Sequence, residues 1–309
     1  MTSALMAFLS ELSRLEYRFT TVTPDTHALV LARKQGERAG SLRDVFGWNL
    51  PFMPSVVGPA LFEITQKAGA CEPLSDGTWR ATLRVSTVGH LLFAHSAYPT
   101  VESDAVFFGP DSYRFVRAIR QLSATATRAV DVGCGSGVGG IALAHFGSIS
   151  TPVVLADINP RALELAKVNA ALAQVPAEVL ESDVLRGVDG RVDLVISNPP
   201  YLVDRGGRAY RHGGGAHGEA LSTRIVRESL ARLDRDGGGS LLLYTGVAIV
   251  EGEDPFLASI RGDLQQSGAT FSYEELDPDI FAGELAEPAY RDAERIAAVL
   301  LHARVGHDS

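Results

Sequence analysis

Two cysteines, Cys71 and Cys134, are all that the 309 residues hold, and they form no Cys-x-x-Cys pair. That scarcity excludes a disulfide framework and a cysteine-built structural zinc site. Cys134 stands inside a glycine-rich turn, where a small side chain suffices and no activating neighbour for a thiolate is visible. Positive charge is short as well: 28 Lys and Arg against 37 Asp and Glu leave a formal net charge of -9. This balance argues against a globally basic surface for duplex nucleic acid, while leaving room for a local patch. No apolar run approaches bilayer-spanning length. Residues 1–14 lack a basic leader and Glu11 interrupts them, so no signal peptide is expected; Leu5, Phe8, Leu9, Leu12 and Leu15 fall on one helical stripe instead. Together the absences predict a reduced, cytoplasmic protein without a membrane partner. Internal repeats are also missing, and the nearest approach to low complexity is the Gly- and Arg-rich stretch 204–218.

The length suggests two domains. Residues 1–98 read as a smaller α+β unit, with helices over 1–18, 24–34, 41–48 and 59–68, a loop at 36–40, and Pro51 and Pro54 as helix stops. Ser75-Asp76-Gly77 is a turn flanked by strand-like 78–86 and 89–95. Helices followed by a ribbon give a winged-helix-like unit, suited to substrate recognition or to dimerisation. Residues 99–309 read differently. After a connector and a helix over 111–122, strands near 128–132, 152–156, 177–182, 192–197, 240–245, 270–276 and 294–303 alternate with helices near 137–146, 160–173, 219–233 and 254–267. This alternation predicts an α/β, Rossmann-like, seven-stranded and mostly parallel sheet, with an antiparallel hairpin at one edge. Nothing in the sequence sets the oligomeric state.

Three of these strands end on residues that a buried strand does not need. The first closes on Gly133, Gly135 and Gly137, where glycine permits positive φ and close approach of a ligand. Gly135-x-Gly137-x-x-Gly140 offers a second register, that of a dinucleotide fingerprint. The next strand closes on Asp157, a carboxylate placed to accept both hydroxyls of a ribose. Asp183 ends the third and is positioned to accept from an adenine amino group, with Glu181 as an alternative. The fourth delivers Asn198-Pro199-Pro200-Tyr201.

In that order, Asp131-Val132-Gly133-Cys134-Gly135-Ser136-Gly137, Asp157, Asp183 and Asn198-Pro199-Pro200-Tyr201 resemble class I methyltransferases that use S-adenosylmethionine (SAM) on planar amino nitrogens. These include protein-glutamine N5-methyltransferases acting on release factors and the adenine or guanine amino methyltransferases of nucleic acids. The resemblance spans roughly residues 106–304. It implies SAM as the cofactor, held by Asp131, Gly133, Gly135, Gly137, Asp157, Ile158, Asp183, Val184 and Asn198. Asn198, Pro199 and Tyr201 would handle the acceptor, and no metal is implied. The chemistry fits the motif, because an amide or aryl amine nitrogen delocalises its lone pair and is a poor nucleophile. Two acceptors, the Asn198 side-chain oxygen and the Pro199 carbonyl, would hold its two N–H bonds and turn the lone pair toward the sulfonium methyl. Tyr201 would stack on the planar acceptor. Rate gain then comes from positioning and charge placement.

Residues 210–219 carry Gly214, Gly215 and Gly218 ahead of Arg224, similar to a Gly-Gly-x-x-Gly stretch in the glutamine-modifying enzymes. Phe107-Phe108-Gly109-Pro110-Asp111 is similar to the family's segment before its first helix, with Asp111-Ser112 replacing the usual acidic pair. The family's helical N-terminal bundle is replaced here by a unit ending in a ribbon. His212 and His217 read as loop histidines rather than metal ligands. Arg205, Arg208 and Arg211 form a local basic cluster. The expected acceptor is a glutamine-type amide on a protein, or an amino group of a small molecule. A nucleic-acid base is the first alternative, and an NAD-dependent oxidoreductase is a more remote one.

Overall fold

The structure, a computed structural model, describes residues 2–122, 125–149, 151–204 and 210–306. Helix α1 (Thr2–Arg14) buries Leu5, Phe8, Leu9 and Leu12, as its stripe requires. Leu15 escapes that core at 41% exposure, because the helix stops at Arg14 and Glu16 turns the chain at φ 53°. Helices α2 (Pro24–Arg33) and α3 (Leu42–Phe46) start at Thr23 and Ser41, whose hydroxyls accept backbone N–H groups of the first turn. Pro54, expected only to stop a helix, begins the short α4 (Pro54–Val57), because a missing N–H costs nothing at a first turn. Helix α5 (Pro59–Lys67) follows.

The single ribbon expected over 78–95 is two hairpins. Strand β1 (Cys71–Pro73) pairs antiparallel with β2 (Trp79–Ala81), and β3 (Leu83–Val88) with β4 (Leu91–Ser96). Thr82 divides them: its N–H and hydroxyl donate to Ala70 O and Gly69 O, at 3.1 and 2.7 Å, and pull the chain out of line. Both β3 and β4 are buried at every position, so they lie between two cores rather than on a surface. The N-terminal core is completed by Ala162, Leu165 and Val168 from a helix of the larger unit, while Val88, Leu91 and Phe93 join the core of that unit.

The larger unit begins with α6 (Pro110–Arg120). A short parallel pair, β5 (Thr125–Ala126) with β7 (Ser148–Ile149), was not anticipated. The main elements follow the expected alternation: β6 (Ala129–Val132), α7 (Val138–Phe146), β8 (Val153–Asp157), α8 (Pro160–Leu172), β9 (Ala177–Glu181), β10 (Leu194–Ser197), α9 (Ala220–Arg232), β11 (Ser240–Val250), α10 (Pro255–Gln266), β12 (Thr270–Asp277) and β13 (Ala293–Arg304). Among the described residues these strands form one seven-stranded sheet, in the order β12-β13-β11-β10-β6-β8-β9. Only β13 runs against the others, antiparallel to both β11 and β12. The expected hairpin is therefore present, but its last strand is inserted inside the sheet and β12 forms the edge.

Alternation along each strand feeds two cores. Leu194, Ile196, Leu242 and Tyr244 face α6, α7 and α8, while Val195, Leu241 and Leu243 face α9 and α10. The chain winds outward from β6 through β8 and β9, then returns to β10 on the other side. That reversal opens a crevice at the carboxyl ends of β6 and β10, where open α/β sheets bind ligands. Among the described residues, no helix is long and apolar enough to cross a membrane.

Candidate active site

The glycine turn leaves β6 with Gly133, Gly135 and Gly137 at φ 68°, 54° and 79°, all left-handed. Gly133 and Cys134 donate their N–H groups to Ala156 O at 2.8 and 3.0 Å, which fastens the turn to β8. A Cβ on Gly133 would meet nothing within 4 Å, so the backbone there is open to a ligand. Gly140 has another task. A Cβ on it would lie 2.3 Å from Leu155, so it lets α7 pack on β8.

Asp131 is 1% exposed and accepts the Gly140 N–H at 2.7 Å. Burial pushes its carboxyl up to about 7, against the pull of that hydrogen bond. Asp157 accepts the N–H groups of Gly135 and Asn159 at 2.8 and 2.9 Å, so it braces the glycine turn. Burial raises its carboxyl above the ordinary value, and those bonds offset part of the rise. Beside it, Ile158 is 60% exposed, an apolar face open to a ligand. Asp183 pairs with Arg224 at 2.6 Å and Arg186 at 3.0 Å. The hydrogen bond from Arg224 is the main cause holding its carboxyl below the usual range. Val184 is buried at φ 57°, a strained conformation for a β-branched residue that no sequence signal announced. Asp131, Gly133, Gly135, Asp157, Ile158, Asp183 and Val184 line one cavity of about 150 Å³; Gly137, Gly140 and, at the exposed end of β9, Glu181 do not.

Asn198, Pro199 and Pro200 follow β10, whose Ser197 hydroxyl donates to Val132 O of β6 at 2.7 Å. They line the first cavity and also a second one, of about 270 Å³. Phe107 and Tyr210 are shared by both cavities as well, stacked with ring centroids 5.9 Å apart. The far wall of the second cavity comes from the N-terminal unit, through Val22, Pro24, Arg84 and Tyr98.

Tyr201 lines this second cavity but is only 8% exposed. Its hydroxyl donates to Asp111 at 2.7 Å, and its ring fills the space a side chain at Gly246 would need. Asp111, read from sequence as a helix-start residue in place of the family's acidic pair, is 2% exposed and accepts from Tyr201, Tyr244 and Arg114 at 2.7, 2.7 and 3.1 Å. It thereby ties α6, the Asn-Pro-Pro-Tyr segment and β11 together.

The glycine stretch that follows packs backbone against backbone. A Cβ on Gly213 would strike Gly218 O, and one on Gly218 would strike Tyr201 O, each at 2.0 Å. Arg211 is paired with Glu284 and, at 3.4 Å, with Asp204; Arg205 and Arg208 lie outside the described residues. His212 Nδ1 accepts the Asp204 N–H at 3.2 Å, and His217 lies 3.0 Å from Asp292. Among the described residues, no three His, Cys, Asp or Glu side chains gather as a metal-ligand set.

Residues 114–245 match the model of the methyltransferase small domain. Over 152 residues the chain is 37% identical to a release factor glutamine methyltransferase of Deinococcus radiodurans, covering 49% of this chain and 46% of the relative. A ribosomal RNA small subunit methyltransferase C of Erwinia tasmaniensis is 39% identical over 74 residues, 24% of this chain and 21% of the relative. The chain thus spans less than half the length of these curated relatives. Trm5b from Pyrococcus abyssi shares the fold, with a TM-score of 0.52 at 16% identity over 77% of this chain and 62% of that one. The inserted antiparallel β13 departs from the dinucleotide-binding strand order. Fold, strand ends and matched residues agree: residues 114–245 of this chain are similar to methyltransferase small domains.

Proposed function

We propose that the chain transfers a methyl group from SAM to a planar amino nitrogen, on a glutamine-type amide of a protein or an amino group of a small molecule. One observation carries this reading: Asn198, Pro199 and Pro200 line two adjoining cavities at once. The first cavity suits SAM. Its walls offer the open glycine backbone, Asp157 for a ribose, and the exposed Ile158 and strained Val184 as apolar faces. Asp183 keeps lone pairs available beside Arg224. When bound, SAM supplies an electrophilic sulfonium methyl.

The second cavity suits the acceptor. The Asn198 oxygen and the Pro199 carbonyl would take the two N–H bonds, so that the nitrogen lone pair faces the first cavity. Neither group needs to remove a proton before transfer; the contribution is orientation and electrostatic stabilisation as the nitrogen gains positive charge. Tyr201, anchored on Asp111, would hold this segment and present its remaining ring surface to the acceptor. Residues 1–98 act as a substrate-recognition unit in this reading, because Val22, Pro24, Arg84 and Tyr98 close the acceptor cavity.

Incubating a lysate with the purified chain and methyl-labelled SAM tests the proposal. Label removed by protease or by small-molecule filtration, and resistant to nuclease, is the expected outcome. Label that survives protease and is lost to nuclease would assign the acceptor to a nucleic-acid base. Absence of SAM binding would overturn the reading altogether.

A further inference from the structure

Arg84 stands on β3 at 4% exposure and lines the second cavity. Its partners are weak for so buried a cation. Nε donates to Ser96 O and Nη1 to His27 Nδ1, each at 3.4 Å, well beyond a strong charge-assisted hydrogen bond. Among the described residues, no carboxylate forms an ion pair with it, and burial is the main influence on its charge. Burial pushes the guanidinium down to about 10, so it remains charged at neutral pH.

The surroundings hold the guanidinium in place without neutralising it. His27 is buried, with Nε2 at 3.1 Å from Trp48 O, which leaves Nδ1 as the acceptor for Arg84. Burial and the Arg84 charge push His27 down to about 4, so it adds no second charge. His27 also stacks on Tyr98, at 4.0 Å between centroids, and Tyr98 is part of the cavity wall. The other ionic residues of the cavity are already answered: Asp111 by Tyr201, Tyr244 and Arg114, and Arg211 by Glu284 and Asp204. Among the described residues, Arg84 alone brings an uncompensated charge to a cavity whose walls include Tyr98, Phe107, Tyr210 and Phe281. A buried cation left without an anion is costly unless a ligand supplies one.

We propose that the second cavity takes a small acceptor bearing one compact oxyanion, a carboxylate or a phosphate monoester, which pairs with Arg84 while its planar amino nitrogen meets Asn198. This rests on the methyltransferase reading of the two cavities. A single buried guanidinium suits one compact anionic group; a nucleic-acid strand would need a row of cations. The volume, about 270 Å³, is near the lower end for small-molecule sites.

The test titrates benzoate, its neutral isostere benzamide, and inorganic phosphate into the chain saturated with S-adenosylhomocysteine. Benzoate or phosphate should bind at least about tenfold tighter than benzamide, the scale of one charge-assisted pair. Phenyl phosphate against benzoate, which share the ring, then tells a phosphate monoester from a carboxylate. Arg84→Met should erase the preference and leave S-adenosylhomocysteine affinity unchanged, while Arg84→Lys should keep part of it. Anions that bind no tighter than benzamide, or a preference that survives Arg84→Met, would overturn the proposal. If Arg84→Met does not fold, the benzoate–benzamide comparison on the unaltered chain decides alone. Failure to bind S-adenosylhomocysteine would instead remove the methyltransferase reading, an outcome separate from the anion result.

Discussion

The two cavities that meet at Asn198 are built in opposite ways. The first is made mainly by residues at the ends of strands β6, β8, β9 and β10, most of them announced by a strand end and a residue type. The second is assembled from Arg84 on β3, Tyr98, Asp111 on α6, Tyr201 and Phe281, segments distant in sequence. In the proposed reading, a cofactor common to many reactions is met by local, repeated chemistry, and an acceptor particular to one reaction by long-range assembly, which a motif does not encode. The comparison is open to attack from either side.

The largest expected effect falls on the assembled side. Asp111→Ala leaves the Tyr201 and Tyr244 hydroxyls without their acceptor and Arg114 with Asp277 alone. Stability should drop by roughly 3 kcal/mol in urea denaturation, the cost of stranding buried polar groups around a removed charge. A loss under about 1 kcal/mol would mean that Asp111 does not tie these elements together.

On the motif-built side, Asp157→Ala should weaken SAM binding about tenfold or more by calorimetric titration, one charge-assisted hydrogen bond being worth roughly 1.5–3 kcal/mol. Unchanged affinity in a folded variant would remove Asp157 from the cofactor site. Smaller again, Tyr201→Phe keeps the ring against Gly246 and loses one bond to Asp111, for about 1 kcal/mol of stability. Turnover falling far more than stability predicts would give the hydroxyl a chemical role that its burial argues against.

The last effect is a slope, read across pH rather than at one pH. The Asp131 carboxyl stands at about 7 in the fold and near an ordinary 3.9 when unfolded. Between those values the folded state binds the extra proton, so the stability this group contributes is full below about pH 4 and is lost as pH rises through about 7. Asp131→Asn should flatten that decline when melting temperature is followed across the window. An unaltered decline would place the titration elsewhere.

The sheet was legible because its strands are short apolar runs separated by helices of the right length, and all seven stand where the pattern put them. Its order was less so. Insertion of β13 between β11 and β12 is a matter of which edges pair, and two apolar strands in succession do not state which becomes the edge. Asp131, Asp157 and Asp183 were visible as acids at strand ends, although the bracing of Gly135 by Asp157 and the pairing of Asp183 with Arg224 depend on neighbours brought in by folding. Tyr201 was read as a stacking surface, and its anchorage on Asp111 spans 90 residues. Arg84 gave no signal, since an arginine in a strand-like run reads as solvent-facing until the strand proves buried on both sides. The Gly213–Gly218 contact was the converse, a pattern noticed by resemblance whose physical cause, backbone pressed on backbone, only the fold supplies.

The claim that Asn198 divides a cofactor cavity from an acceptor cavity is tested most directly by Asn198→Ala. S-adenosylhomocysteine affinity and the turnover of methyl transfer to the acceptor identified from lysate would be measured on the same preparation. The account predicts affinity within about twofold of the unaltered chain and turnover lower by about 10²–10³, the loss typical when one positioned group leaves a preorganised site. Affinity falling as far as turnover would contradict it, making Asn198 chiefly a holder of the cofactor or of the fold rather than of the acceptor.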